Sequence, residues 1–417
     1  VEKRKQTGGG LHYAWVILAA VIIIRGLAGG GLNMTSALFL APVAGDIGTG
    51  IGELSVYLSI TSAVMVLWLP TAGKMIHHFD IRLVAAVGAA LQILSFAAMG
   101  FADKVYVWYL LAIPYAMGAT LLVNLLGPVL INRWFRTNAG TMMGIQMAFV
   151  GLFGAVLQPL VSSIIAGRGW RKAYFIVGGI TFAAVIIVSS VFLRNRPEEG
   201  GLLPYEGGAG KTRKKVNHTG SRERGIGEKE ALRSPSFYLL LLFMAAITGV
   251  GVFTQHIPTY GSLLGYSVQE TGGVLAAASV GSAIGSIAIG IISDKIGSLK
   301  TCYLMIAVGV LAAAGFFLSG GGLLLFYGSA FLHGLVSSGI MVLGPLLTLK
   351  FYGQRDYEKI FAKVSMGAPL ASIVFVPLYG FVYDMMQSYY PVLIGLLALL
   401  GTAAVCITIG YKKRIKS

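Results

Sequence analysis

The chain has 417 residues, of which 56% are hydrophobic and 12% charged, and its mean hydropathy is +0.78. A soluble chain of this length would carry about 25% charged residues, so this composition excludes a soluble enzyme, a secreted disulfide scaffold and a disordered protein, and it requires lipid to cover its apolar surface. The net charge of +16, from 32 Lys and Arg against 16 Asp and Glu, would suggest a nucleic-acid partner in a soluble protein, but the positions of the charges give it another cause.

In chain order, twelve apolar stretches occur at 13–41, 53–76, 82–102, 105–134, 138–167, 170–194, 236–264, 268–293, 298–319, 321–352, 359–385 and 388–411. Each reaches the length of about 20 residues that a helix needs to cross a bilayer core. None alternates with period two, which excludes a membrane β-barrel. Gly144, Gly151, Gly154 and Pro159 inside the fifth stretch fit close helix packing and local kinks in lipid. The first stretch follows Lys3, Arg4 and Lys5 as a signal peptide would, but it is too long and no small-residue cleavage site follows, so a retained helix is expected.

Lys and Arg gather on one face. With the N-terminus inside, the cytoplasmic segments receive Lys3, Arg4, Lys5, Lys74, Arg82, Arg133, Arg136, the 195–235 stretch, Lys295, Lys300, Lys350, Arg355, Lys359, Lys412, Lys413, Arg414 and Lys416, against Lys104, Arg168, Arg171 and Lys172 opposite. The positive-inside rule therefore predicts a multi-pass protein of the inner (plasma) membrane with both termini cytoplasmic. The only long polar stretch, 195–235, reads as a cytoplasmic linker between six-helix bundles at 1–194 and 236–417. Its Gly210-Lys211-Thr212 lacks the glycine a phosphate loop needs at 205, where Tyr205 stands, and Asn217-His218-Thr219 is a glycosylation sequon on the wrong side. Cys302 and Cys406 lie in apolar stretches, and neither a metal spacing nor a cofactor motif appears.

The halves repeat one another. Gly73-Lys74-Met75-Ile76-His77-His78-Phe79-Asp80-Ile81-Arg82 follows the second stretch and Gly290-Ile291-Ile292-Ser293-Asp294-Lys295-Ile296-Gly297-Ser298-Leu299-Lys300 follows the eighth. Arg133-Trp134-Phe135-Arg136 stands opposite Lys350-Phe351-Tyr352-Gly353, and Pro159 opposite Pro377. Parallel six-helix repeats suit alternating access, in which one half rocks against the other. These glycine-to-basic loops resemble the signature of the major facilitator superfamily, with His77 and Asp80 in the first copy replacing the family's Asp and Gly. His12-Tyr13-Ala14-Trp15-Val16, Asn132-Arg133-Trp134-Phe135, Gly169-Trp170-Arg171-Lys172-Ala173 and Tyr352-Gly353-Gln354-Arg355-Asp356-Tyr357 resemble its monocarboxylate porter and oxalate/formate antiporter branch. The resemblance spans the chain and implies an all-α membrane fold of twelve helices in two repeats.

Among residues that could carry chemistry, Arg25 stands out, since an ionisable side chain near the bilayer midplane costs about 2.5–3.5 kcal/mol. In a dry cavity its guanidinium could hold a carboxylate through two parallel hydrogen bonds; the blander reading pairs it with carbonyls of another helix. His333 and Lys363 follow the same logic, and Lys363 could simply reach the cytoplasmic interface. Gln146 is a polar residue of the fifth stretch that could equally bond a neighbouring helix. The resemblance adds His256 before a Pro-containing kink, as donor to an anion, carrier of a coupled proton or a hydrogen-bonded packing residue, and Asn124 and Asn33 as amides that could bind substrate or merely bond a neighbouring helix. It also implies that Asp294 acts in a cytoplasmic charge latch. The branch's eighth-helix Arg is replaced here by Ser286, and an acidic position one turn earlier by Ser282; Tyr260 and Tyr379 are weaker candidates.

The expectation is a secondary active transporter of a small organic anion, a monocarboxylate, by alternating access, and not an enzyme, with a carboxylate as partner and a proton as the ion that could accompany it. The missing eighth-helix Arg keeps open an efflux carrier for neutral or amphipathic molecules. A non-transporting receptor on the same fold is a third reading.

Overall fold

The computed structural model describes residues 12–136, 139–206, 225–353 and 355–414. Among these, twelve helices are long and apolar enough to cross a membrane. They are α1 (Tyr13–Ile47), α2 (Ile51–Ile76), α3 (Ile81–Phe101), α4 (Val105–Trp134), α5 (Met142–Arg168) and α6 (Trp170–Phe192), then α7 (Pro235–Leu263), α8 (Val268–Ile296), α9 (Ser298–Gly321), α10 (Leu323–Tyr352), α11 (Lys359–Met386) and α12 (Tyr390–Lys412). The expected spans and all-helical class are thus observed. The first span outruns its expected end at 41, because helix resumes at Ala37 and carries Pro42 inside it. It stops at Gly48, whose φ of 69° is left-handed, with Thr49 N–H donating to Ala44 O at 3.1 Å. A glycine there ends the helix without a Cβ clash.

The two glycine-to-basic loops turn by different means. Gly297, between α8 and α9, takes φ 86°. Asp80, the residue opposite it, keeps an extended backbone and accepts Arg82 N–H at 2.7 Å as the N-cap of α3. The departure in the first copy is therefore a substitution of one helix-starting device for another.

Cα proximity divides the chain into two compact units, one of Val1–Ser36, Val64–Leu157 and Ile164–Lys211, the other of Ala37–Ala63, Gln158–Ser163 and Thr212–Ser417. In the first, helices meet backbone to backbone: a β-carbon on Gly30 of α1 would lie 2.6 Å from Val150 O of α5, and one on Gly118 of α4 2.3 Å from Gln92 N of α3. In the second, Gly334 of α10 sits so close to α8 that its β-carbon would lie 2.0 Å from Ala278 O. Such small-residue contacts replace hydrophobic collapse as the packing force in lipid. The second unit also holds an aromatic cluster built on Phe253, Tyr260, Phe316, Phe326, Tyr379 and Tyr389. Ile180 of α6 and Leu311 of α9, 64% and 62% exposed within their spans, face outward, as lipid contact demands.

Candidate functional site

The α-helical part of α1 ends at Arg25, and the next residues, Gly26–Asn33, wind as a π-helix. From Tyr13 to Arg25 the axial rise is about 18 Å, more than half of a bilayer core of about 30 Å. Arg25 is nonetheless buried, and neither its Nε nor its Nη1 has a hydrogen-bond partner. Gln146 of α5 is also buried, with both its Oε1 and its Nε2 unpartnered. The two side chains converge on Gly127 of α4: a β-carbon there would lie 2.1 Å from Gln146 Oε1 and 2.8 Å from Arg25 Cδ. Gly127 thus supplies the space the two polar groups occupy.

Four buried polar atoms without partners in one place are unusual, because each such atom costs about 1–3 kcal/mol, and more where the group is charged. Together they offer the cationic donors of a guanidinium, an amide donor and an amide acceptor. This set can take an anion with planar oxygens, and the fork geometry of Arg suits a carboxylate.

Beside it, the π-helical turn of α1 is tied to its neighbours. Gln92 Nε2, from a π-helical turn of α3, donates to Ala28 O at 3.2 Å and to Asn33 Oδ1 at 2.9 Å. Tyr115 Oη of α4 donates to the same Asn33 oxygen at 2.5 Å. A π turn leaves backbone carbonyls without their usual partner, and the Gln92 amide serves one. The Asn33 carbonyl oxygen is occupied by this network. Asn124 lies in a third π-helical turn, Thr120–Leu125 of α4, with its side chain exposed.

The second unit holds the remaining candidates. His256 is fully buried, and both ring nitrogens are in use: Nδ1 lies 2.9 Å from Tyr389 Oη and Nε2 2.8 Å from Val376 O. His333 Nε2 lies 3.1 Å from Thr254 Oγ1, with the ring edge-on to Phe253 and Phe316. Tyr260 and Tyr379 donate to Phe316 O at 2.6 Å and Gly249 O at 2.8 Å. Ser286 donates to Ala283 O of its own helix at 2.8 Å, and Ser282 stands where α8 abuts Gly334. Asp294 is exposed in the last turn of α8. Lys363 pairs with Glu228 at 2.7 Å, so its cation is engaged at the end of the linker. The structure therefore joins Arg25 and Gln146 and gives the two histidines partners within their own packing.

Sequence reasoning passed over Gly127, whose glycine identity is the signal, and Gln92, a buried amide in the third span. It also passed over Gln158 of α5, whose Oε1 accepts from Ser279 at 3.1 Å.

A family model described as Major Facilitator Superfamily matches residues 21–331. Over 318 residues the chain is 23% identical to the oxalate:formate antiporter of Oxalobacter formigenes, covering 74% of this chain and 70% of that one. Over 174 residues it is 25% identical to human monocarboxylate transporter 6, covering 40% of this chain and 33% of the relative. Among solved structures, a bacterial homologue of the human lysosomal transporter Spinster, in an inward-facing and unoccupied conformation, superposes with a TM-score of 0.73. It is 14% identical, with 98% of this chain and 100% of that one covered.

Proposed function

Because this chain belongs to the major facilitator superfamily, a family of membrane transporters, we propose that it carries a small organic anion, a monocarboxylate, by alternating access. The observation that carries this reading is the set of unpartnered atoms on Arg25 and Gln146. In it the Arg25 guanidinium holds the carboxylate, and the Gln146 amide donates a further hydrogen bond and accepts one from a donor on the substrate. The two six-helix repeats, 1–194 and 236–417 joined by 195–235, are the bodies that rock.

An oxalate:formate antiporter and a monocarboxylate transporter among the relatives support the substrate class. Every Asp and Glu within the twelve spans lies near a span end, and the mid-span histidines are bonded into their packing. This favours exchange of one anion for another over coupling to a proton. The charge distribution supports a plasma-membrane protein with both termini and the linker on the cytoplasmic side. A thiol reagent that cannot cross the membrane should accordingly label Lys229→Cys only from inside.

The substrate is to be found by thermal shift of the purified protein against mono- and dicarboxylates, amino acids and hydrophobic cations. Calorimetry on variants then tests the anchor. Removing one partly desolvated charge contact costs about 2–5 kcal/mol, roughly thirty-fold to several-thousand-fold in affinity, so Arg25→Gln should nearly abolish carboxylate binding. Arg25→Lys should rescue it in part, since it keeps the charge and loses the planar fork. Ser286→Ala should cost no more than about tenfold. Unchanged affinity in Arg25→Gln would remove the anchor and point to a neutral or amphipathic substrate.

A further inference from the structure

The helix α2 opens at Gly50, whose carbonyl accepts Leu54 N–H at 3.0 Å. A glycine at this position has no side chain to serve the free N–H groups of the first turn. The carboxylate of Asp384, in the last turn of α11, serves them instead: Oδ1 accepts from Ile51 N at 2.9 Å and Oδ2 from Gly52 N at 2.7 Å. Both bonds are charge-assisted and lie at the positive end of the helix dipole.

The approach depends on missing side chains. A β-carbon on Gly50 would lie 2.4 Å from Asp384 Oδ2, one on Gly52 2.5 Å from Phe381 N, and one on Gly380 2.6 Å from Gly52 Cα. Two turns further along α2, Ser59 Oγ donates to Ile373 O at 2.8 Å. The other repeat is built alike without a carboxylate: Ser162 of α5, at the position opposite Gly380, faces Gly272 of α8, where a β-carbon would lie 2.2 Å from its Oγ. The contacts at Gly50, Gly52, Gly380 and Ser162 sit toward the ends of spans opposite the linker, and that of Ser59 reaches the middle of α11. They also place the start of α2 and residues 158–163 in the compact unit that contains the C-terminal half.

We propose that Asp384 is the latch of the membrane face opposite the linker. It fastens α11 to the main chain of α2 in one access state and releases it in the other, so the strength of this cap sets the balance between the two. The proposal rests on the alternating-access reading for its role in transport. The carboxylate borders a groove of about 500 Å³ shared with Thr49, Thr259 and Gln387, which gives water a route to it once the cap opens. Because the partners are backbone amides, no second side chain can take over when the carboxylate is lost.

The test reads exposure rather than transport. With Cys302 and Cys406 replaced by Ala, a reporter Ser59→Cys is labelled with a maleimide in the purified protein, with Ser286→Cys, on the linker half of α8, as control. Asparagine keeps one uncharged acceptor and loses the other, so Asp384→Asn should raise labelling at position 59 by about tenfold or more and, as the linker side closes in exchange, lower it at position 286. Asp384→Glu should fall between the two, and Gly380→Ala, which wedges the helices apart with the carboxylate intact, should also raise labelling. Unchanged labelling at 59 in Asp384→Asn and Gly380→Ala, or an equal rise at 59 and 286, would overturn the latch. No substrate enters this measurement. A protein that passes it and binds no carboxylate would sink the anion reading and keep the latch.

Discussion

Trp134 and Tyr352, the last residues of α4 and α10, each receive an end of the linker. Tyr205 N–H donates to Trp134 O at 2.8 Å, and Ile226 N–H donates to Tyr352 O at 2.9 Å. Their side chains extend the same contacts. Trp134 Nε1 donates to Arg194 O at 3.2 Å, and Tyr352 Oη lies 2.9 Å from Ser236 Oγ, itself 2.9 Å from Ser234 Oγ. The last residues of α4 and α10 are thus moored to the linker by one main-chain bond apiece, and by one side-chain bond apiece to Arg194 and Ser236, which flank it.

Removing the Tyr352 hydroxyl leaves two serines that can still bond one another. Tyr352→Phe should therefore destabilise the protein by about 1 kcal/mol. Trp134→Phe should cost more, roughly 2 kcal/mol, because the smaller ring leaves a void as well as an unserved carbonyl. Chemical unfolding in detergent checks the ranking, and an equal or reversed order would count against it.

The end of the linker also carries an acid-sensitive contact. Asp356 Oδ2 accepts Glu228 N–H at 3.1 Å and Oδ1 lies 3.4 Å from Lys359 Nζ. The Glu228 amide, with help from Lys359 and Arg355, holds the Asp356 carboxyl below its ordinary value of 3.8. A lowered folded-state value stabilises above the unfolded one and is lost as the pH falls through the folded one. Protection of the Glu228 amide from hydrogen exchange should thus hold at neutral pH and fade only below the usual carboxylate range. Asp356→Asn should weaken it at neutral pH and flatten the acid-side change.

Gly127 and Gly144 make a matched pair of substitutions. A β-carbon at 127 meets Gln146 and Arg25, whereas at 144 it meets nothing within 4 Å. Gly127→Ala should displace both polar side chains, costing about 1–3 kcal/mol of stability and more than tenfold in carboxylate affinity. Gly144→Ala should be neutral or stabilise by about 0.5–1 kcal/mol through the unfolded chain. Equal effects of the two would mean that the space at 127 has no special use.

What the sequence could disclose follows from where each signal resides. The spans were legible because bilayer thickness dictates their length, and Arg25 because a charge at that depth has few innocent reasons to exist. Gln146 was visible as a polar residue, but its lack of partners depends on Gly127 of another helix. Asp384 was opaque because it binds main-chain amides, which carry no residue identity; the glycine at 50, where a capping side chain would be expected, was its one local trace. For His256 the ring was plain, yet the groups that occupy it, Tyr389 and Val376, lie more than a hundred positions away.

Gln146→Leu separates a binding role from a packing role. If the amide serves only the fold, replacing it with an apolar side chain of similar volume removes contacts and should not stabilise the empty protein. With Oε1 and Nε2 both buried and unpartnered, the empty protein instead bears their desolvation cost. Gln146→Leu should relieve it, raising the stability of the ligand-free form by about 1–3 kcal/mol. The same change removes a donor and an acceptor from the anion, so the thermal shift given by a carboxylate should shrink or vanish. Stability and ligand response would then move in opposite directions. A variant that loses stability and keeps its full carboxylate shift would take Gln146 out of the binding site and leave Arg25 to hold the anion without it.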